Sequence, residues 1–356
     1  MSFLKGSLTC QRFNVEGGLL SKPDADLSEV VSSLAKRSFQ NPVSLDGSEY
    51  PKYGWCGGRD IADTLFTDEH LLRGPFVCFG LLVIREVIPQ SDIAARARQE
   101  LEAMALDRPI RPQDRRAAAT AAKEQLQEEG RKTGQYLVRK VIPVVYDSEK
   151  RQLWLHSTSH TVAAGFQALV EVTLGSVATP IDVRSYIDAD SVPTGETPEW
   201  LGEDEGANAW GNLFAAEVVK RGADQDVPLD TSFDWPSGDR MVKIVPRRTV
   251  TVRCPAGVKG LDRFDHELPY SVPEAGEAVR AGKLPTVLGM DLIYNGHDVP
   301  VPLSLVPHRL TVSGARLPKG EAKDRAEADM DRLTAIREML DAVDGAVVSY
   351  AQKHLK

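Results

Sequence analysis

Phe76-Val-Cys-Phe-Gly-Leu-Leu-Val-Ile-Arg-Glu-Val-Ile88 is the longest apolar run in the chain, and its reading decides the fold. A helix that crosses a bilayer needs roughly 18 or more largely uncharged residues. This run is shorter, and Arg85 and Glu86 interrupt it. It reads as one long buried strand, or two joined. Pro89-Gln-Ser-Asp92 then signals a helix start, and Ile93, Ala97, Leu101 and Met104 follow at helical spacing. Arg108-Pro-Ile-Arg-Pro112 breaks that helix, because proline lacks the amide proton a helix interior needs. A second helix runs to about Glu129 and stops at Gly130, and the chain returns as an extended segment, Tyr136–Asp147. The spacing predicts a helical hairpin over 88–134, inserted between two strands.

Working outward, residues 7–14 read as a first strand. Asp26 caps a helix with Leu27, Val30, Val31, Leu34 and Phe39 on one side. The stretch 41–58 is turn-rich and holds Tyr53-Gly-Trp55-Cys-Gly-Gly58. After the hairpin, Asp147-Ser-Glu-Lys150 is the turn that joins Tyr136–Asp147 to Gln152–His156. Ser159 caps a helix with Val162, Phe166, Leu169 and Val170 inward, Gly175 ends it, and Thr179–Tyr186 is another strand. This is an α+β pattern with mainly antiparallel sheets, an inserted helical hairpin and a long C-terminal helix. Residues 1–87 with 135–186 form an N-terminal α+β domain, and 88–134 a finger. Residues 187–240 are acidic and rich in Gly, Pro and Asp, with one helix at about 207–221; they read as an insertion or linker. Residues 241–356 form a β-rich C-terminal domain, with a short helix at 273–281 and a terminal helix over Lys319–Leu355. The terminal helix spaces Leu333, Ile336, Leu340, Val343, Val347 and Tyr350 by threes and fours, a seam for its own domain or for a second copy.

Composition narrows the function. Lys and Arg number 43 against 51 Asp and Glu, a net charge of −8. Such a chain does not coat nucleic acid with its whole surface, although a local basic face suffices for phosphate contacts. The N-terminus lacks an apolar signal region. The four cysteines (Cys10, Cys56, Cys78, Cys254) form no CxxC, which argues against a zinc site or a disulfide framework. The expectation is a cytoplasmic protein that engages no membrane.

Positive charge gathers in three places. Met241–Gly260 contains Lys243, Arg247, Arg248, Arg253 and Lys259 and no acid. Alternation along a strand puts Arg247, Thr249, Thr251 and Arg253 on one face, and Arg248, Val250 and Val252 on the other. Guanidinium forks suit phosphates, so these residues are the first choice for DNA contact; a charged, solvated sheet edge is the competing reading. Arg131, Lys132, Arg139 and Lys140 cluster where the hairpin returns. Arg108, Arg111, Arg115 and Arg116 cluster at its tip, where Asp114 is a nearby counter-charge.

Catalytic signals are poor. His156 and His160 straddle a strand end and a helix start, with no further ligand at metal spacing. Asp147-Ser-Glu149-Lys150 superficially matches the acid-x-Lys core of metal-dependent nucleases, but it reads as a turn with exposed charges. No phosphate-binding glycine loop and no nucleophile elbow is present. The expectation is a protein without enzymatic activity and without cofactor.

Several short motifs stand in a telling order: Tyr53-Gly-Trp55, Val87-Ile-Pro89 before the hairpin, Ile142-Pro143 after it, Leu153-Trp154-Leu155, Leu174-Gly-Ser176 leading to Pro180-Ile-Asp-Val183, and Glu277-Ala-Val-Arg-Ala-Gly-Lys283. In that order, over most of 1–185 and 270–350, the chain resembles the RdgC family of bacterial recombination-associated DNA-binding proteins. The resemblance implies a homodimer that closes into a ring around double-stranded DNA, with single-stranded DNA as a second candidate. It implies little sequence preference, restraint of RecA-type recombinases, and a place on the nucleoid. The hairpin would be the finger that meets the partner subunit, with Arg111 and Arg115 at its end. Tyr146, three residues after Pro143, would join that interface. Two features depart from the family: the long 187–240 stretch, and finger helices rich in Ala, Glu and Arg rather than Lys. A different reading is a protein-interaction module from a phage or defence locus that binds a nuclease or recombinase through the acidic stretch around Trp200, Glu203, Asp204, Glu205 and Trp210. A metal-dependent nuclease is the third.

Overall fold

The strand Leu8–Glu16 (β1) is where the two halves of the molecule meet. The computed structural model describes residues 3–22, 26–38, 40, 42–45, 49–58, 60, 63–106, 108–187, 209–224, 233–234, 241–254, 261–265, 273–294, 299–318 and 324–354. On one side of β1 lie, in chain order, β2 (Val43–Ser44), β3 (Lys52–Cys56), β4 (Leu72–Arg73), β5 (Phe76–Glu86), β6 (Leu137–Asp147), β7 (Gln152–Leu155) and β8 (Val177–Pro180). On the other lie β9 (Phe233–Asp234), β10 (Met241–Arg253), β11 (Leu261–Asp265), β12 (Leu284–Tyr294), β13 (Val301–Val306) and β14 (Thr311–Ala315). The main path of the sheet runs β11-β10-β12-β13-β14-β1-β7-β6-β5-β3-β2. Neighbouring strands are antiparallel, and β1 pairs with β14 through Leu8 and Cys10 and with β7 through Gln11–Asn14. The fold is α+β, and one sheet crosses the boundary between the expected N- and C-terminal domains.

The apolar run that opened the sequence is β5, and both of its faces are covered. Phe76 and Cys78 point into one core with the terminal helix α8 (Arg325–His354). Val77, Phe79, Leu81 and Val83 point into another, with α1 (Leu27–Lys36) and α5 (His160–Leu174). Burial on both faces explains an apolar run without alternation. Asp26 caps α1 by accepting from the Ser28 amide at 2.9 Å. Phe39, expected on this helix, lies outside the described residues. The Tyr53-Gly-Trp55 motif serves the same core. Trp55 is fully buried, edge-on to Phe79 and Phe166, and its Nε1 donates to Thr173 at 3.0 Å. Gly165 lets α5 lie on Tyr53, since a Cβ there would come within 2.2 Å of the tyrosine ring.

The helical hairpin is α3 (Gln90–Ala105) and α4 (Pro112–Thr133), which pack chiefly against each other. Its small core comprises Ile93, Ala97, Ala118, Ala122, Leu126 and Tyr136. With 22 residues, α4 is about 33 Å long. It does not stop at Gly130. That glycine sits against the Tyr136 ring, and the left-handed cap is Gly134 (φ 73°).

The stretch read as an insertion or linker contributes to the core. Its described helix α6 (Ala209–Asp224) buries Trp210, Phe214, Val218 and Val219 against α8 and the C-terminal strands. The short helix α2 (Asp68–Leu71) precedes β4, and α7 (Pro273–Arg280) packs beside α6. The seam of α8 is buried within this chain, from Leu333 through Tyr350. Polar pairs fasten α8 to the N-terminal half. Arg12, wholly buried on β1, binds Asp344 through both terminal nitrogens, and Tyr186 donates to the same carboxylate. Arg337 lies 4.4 Å over the Phe76 ring and binds Asp147 at 2.7 and 2.9 Å.

Candidate nucleic-acid interface

The strand β10 keeps the expected alternation. Val242, Ile244, Val250 and Val252 are buried in the core, while Lys243, Arg247, Thr249, Thr251 and Arg253 remain partly exposed on the other side. Antiparallel pairing places Arg263 of β11 opposite Thr251, so it joins that side. Sequence reading missed Arg263 because Asp262 and Asp265 mask its charge locally. Arg247 is held by Asp291 of β12 at 2.7 Å; the carboxylate is buried, and the guanidinium stays 43 % exposed. Lys243, Arg253 and Arg263 also interact within the chain. The side chain of Arg248 and the whole of Lys259 lie outside what the structure describes.

The cluster at the hairpin's return is largely neutralised. Arg131 lies between Glu49 at 3.1 Å and Glu86 at 3.7 Å, and Lys132 pairs with Glu128 at 2.7 Å. The physical reason is register: Glu86 ends β5 directly beside the base of α4, and helical spacing delivers Glu128 to Lys132. Arg139 and Lys140 are exposed on β6, and Arg139 has a partner within the chain. At the tip, Arg108 forks onto Asp114 at 2.8 and 2.7 Å, and the same carboxylate accepts from the Arg111 amide at 2.8 Å. That holds the Asp114 carboxyl down at about 2, with the Arg108 hydrogen bonds as the main cause. Arg111, Arg115 and Arg116 are exposed, with no carboxylate partner among the described residues. Leu106 beside them is 88 % exposed.

Tyr146 does not face a partner subunit. It is 1 % exposed in the core under α5, and its hydroxyl donates to the Leu20 carbonyl at 2.7 Å. Strand alternation decides this, because Ile142, Val144 and Tyr146 share the inward face of β6. In the Asp147–Lys150 turn, Glu149 and Lys150 are exposed as expected, but Asp147 is not. Asp147 is buried and bound by Arg337, Glu149 binds Arg337, and Lys150 pairs with Asp341 at 3.0 Å. These residues dock α8 on the sheet rather than converge on an open site. Trp210 is likewise a core residue, and Trp200, Glu203, Asp204 and Glu205 lie outside the described residues.

His156 accepts from the Thr9 amide at 3.3 Å, and burial pushes its pKa down. His160 touches Arg309 across the joint between the halves. Among the described residues no group of three His, Cys, Asp or Glu side chains could hold a metal. Burial raises the Cys10 and Cys78 thiols to about 12 and Cys56 to about 11, so all three stay protonated near neutrality. A cleft of ≈ 610 Å³ opens at the joint, with Arg184, Arg253, Arg309, His160, His308 and Asn212 on its walls. Apart from Arg253, none of its cations belonged to a basic run. They are scattered in sequence, and only the sheet crossing at β1 gathers them. No described helix is long and apolar enough to cross a membrane. No family model and no curated protein matches the chain.

Proposed function

We propose that this protein binds duplex DNA through its backbone, without catalysis and with little sequence preference, as a clamp-like homodimer of the RdgC type that limits access of recombinases. The observation that carries the reading is the partly exposed face of β10, where Lys243, Arg247, Thr249, Thr251 and Arg253 stand in a row with Arg263 alongside. Its cations and hydroxyls suit phosphate oxygens, and phosphate contacts position a protein on DNA without reading bases. The exposed Arg111, Arg115 and Arg116 at the fingertip are a second basic surface that suits phosphate. Fluorescence anisotropy with random-sequence duplexes tests the reading. Affinity is expected to fall with salt at about 0.9 log units per log unit for each phosphate neutralised. Lys243→Glu and Arg253→Glu are expected to weaken every duplex alike. Unchanged binding in both variants overturns the assignment, and a monomeric mass with and without DNA overturns the clamp.

A second reading has one observation in its favour. Leu106, exposed at the fingertip among arginines, suits a protein partner with an acidic rim around an apolar spot. In that case the protein is an interaction module, and the tip variants Leu106→Ser and Arg115→Glu abolish capture of a nuclease or recombinase while duplex binding is absent at low salt.

A further inference from the structure

We propose that the cleft at the joint of the two halves binds a small organic phosphate of the sugar-phosphate class, sharing only Arg253 with the face proposed above to meet DNA. Its ≈ 610 Å³ matches a metabolite-sized ligand rather than a duplex. Five cationic or imidazole side chains, Arg184, Arg253, Arg309, His160 and His308, line it. Asp182 is the one carboxylate among the described lining residues, and it is already committed: it accepts from the Arg184 amide at 2.9 Å and pairs with the Arg184 guanidinium. The local sign is thus opposite to that of the chain as a whole, which carries −8. Guanidinium groups select phosphate oxygens by paired, charge-assisted hydrogen bonds.

Asn212 separates an organic phosphate from a bare anion. It lies on the cleft wall at the start of α6, is 5 % exposed, and its Oδ1 has no hydrogen-bond partner among the described residues. A buried acceptor left unpaired is costly, so a ligand that donates to it is strongly selected. A sugar hydroxyl donates there while the phosphate oxygens all stay with the guanidinium groups, whereas inorganic phosphate would have to turn its own P–OH away from them to do so. Gln167 offers a second amide on the wall, fixed by its own donation to the Ala178 carbonyl at 2.7 Å. Among the described lining residues no phenyl, phenol or indole ring stands ready to stack on a nucleobase. That favours a sugar phosphate over a nucleotide.

The backbone is shaped for the task. The turn Pro307–Arg309 presents His308 and Arg309 to the cleft and closes on Leu310 in the left-handed region (φ 46°). A leucine rarely adopts that conformation, and such strain concentrates where side-chain placement matters. Leu310 is buried, which anchors the strained turn, while Arg309 remains exposed to ligand. The opposite wall is the first two turns of α5, from His160 to Gln167.

Isothermal titration calorimetry on the full chain tests the proposal with ribose 5-phosphate, glucose 6-phosphate and glycerol 3-phosphate, and with AMP, ribose and inorganic phosphate as separate arms. At least one sugar phosphate is expected to bind, ribose alone is not, and inorganic phosphate and AMP are expected to bind more weakly. Arg309→Ala, at an exposed position, is expected to keep the parent's unfolding midpoint and to lower the affinity about tenfold or more. Asn212→Leu is expected to erase the preference for the sugar phosphate over inorganic phosphate. The proposal is overturned if none of the three sugar phosphates binds at millimolar concentration, if inorganic phosphate or AMP binds as tightly as they do, or if Arg309→Ala binds like the parent.

Discussion

The terminal helix and the finger are both long, charged and helical, yet they use their charges in opposite ways. In α8, Arg337, Asp341 and Asp344 each reach across to the N-terminal half, and the apolar seam is buried in the same chain. In the finger, contacts with the rest of the chain gather at the base, and the tip shows Arg111, Arg115, Arg116 and Leu106 to solvent. A seam spaced in threes and fours is therefore no sign of a second copy when a sheet of the same chain lies beneath it. A weakly apolar hairpin with unspent charge at its end is the better candidate for outside contact. Four measurements press on that contrast.

The largest effect is expected at the Arg12–Asp344 pair. Asp344→Ala leaves the Arg12 guanidinium buried without its counter-ion, and the Tyr186 hydroxyl without its acceptor. Removing one partner of a buried pair costs roughly 3–5 kcal/mol, which chemical denaturation reads directly. The double variant Arg12→Leu with Asp344→Leu is expected to recover much of that loss. If the single variant is as stable as the parent, α8 is not fastened as described.

The finger should respond locally. Leu126→Ala opens the small core formed with Ile93 and Tyr136, at a cost of about 2 kcal/mol, the low end for a core leucine in a cluster this small. Hydrogen exchange is expected to accelerate across 90–133 while β5, β6 and α8 keep their protection. Protection lost throughout the molecule would mean that finger and sheet are one cooperative unit, and the contrast would fail. At the tip, the double change Arg115→Glu with Arg116→Glu is expected to alter stability by less than about 0.5 kcal/mol, as surface changes usually do. Duplex affinity at low salt is expected to fall about fivefold or more with a shallower salt slope. An unchanged affinity would confine DNA to the β10 face.

How much of this was legible in sequence follows from the range of the interactions. Period-two and helical spacing with caps revealed β5, the hairpin, α1, α5 and the alternation of β10, because those signals are local. Tyr146 was misplaced because a family-like motif gave its position in the chain, while the face of β6 decides its burial. The 187–240 stretch read as a linker because its composition is polar on average, yet α6 within it carries Trp210 and Phe214 into the core. The basic face was half legible. The row on one strand was visible, but Asp291, which pairs with Arg247, stands 44 residues further on. The cleft was invisible, since its arginines come from three separate segments that only the folded sheet assembles.

The smallest effect concerns His156, just past the end of β7 in the middle of the shared sheet. Burial lowers its folded pKa below the usual 6.5, and the charge of Lys140 pushes the same way. The unfolded chain therefore takes up the proton first as pH falls. In the interval between the two values the unfolded state binds more protons, so stability rises with pH there. The contribution is complete above about pH 6.5 and is lost progressively as pH drops below it. His156→Gln is expected to flatten this part of the stability–pH curve. Because His156 accepts from Thr9 on the strand that joins the halves, the lost stability should appear in the sheet and α8 together. The finger has no share in that bond, so hydrogen exchange over 98–123 is expected to be indifferent to the titration. Acceleration there between pH 7 and 5.5, with the sheet unmoved, would reverse the assignment of which region carries the molecule's stability.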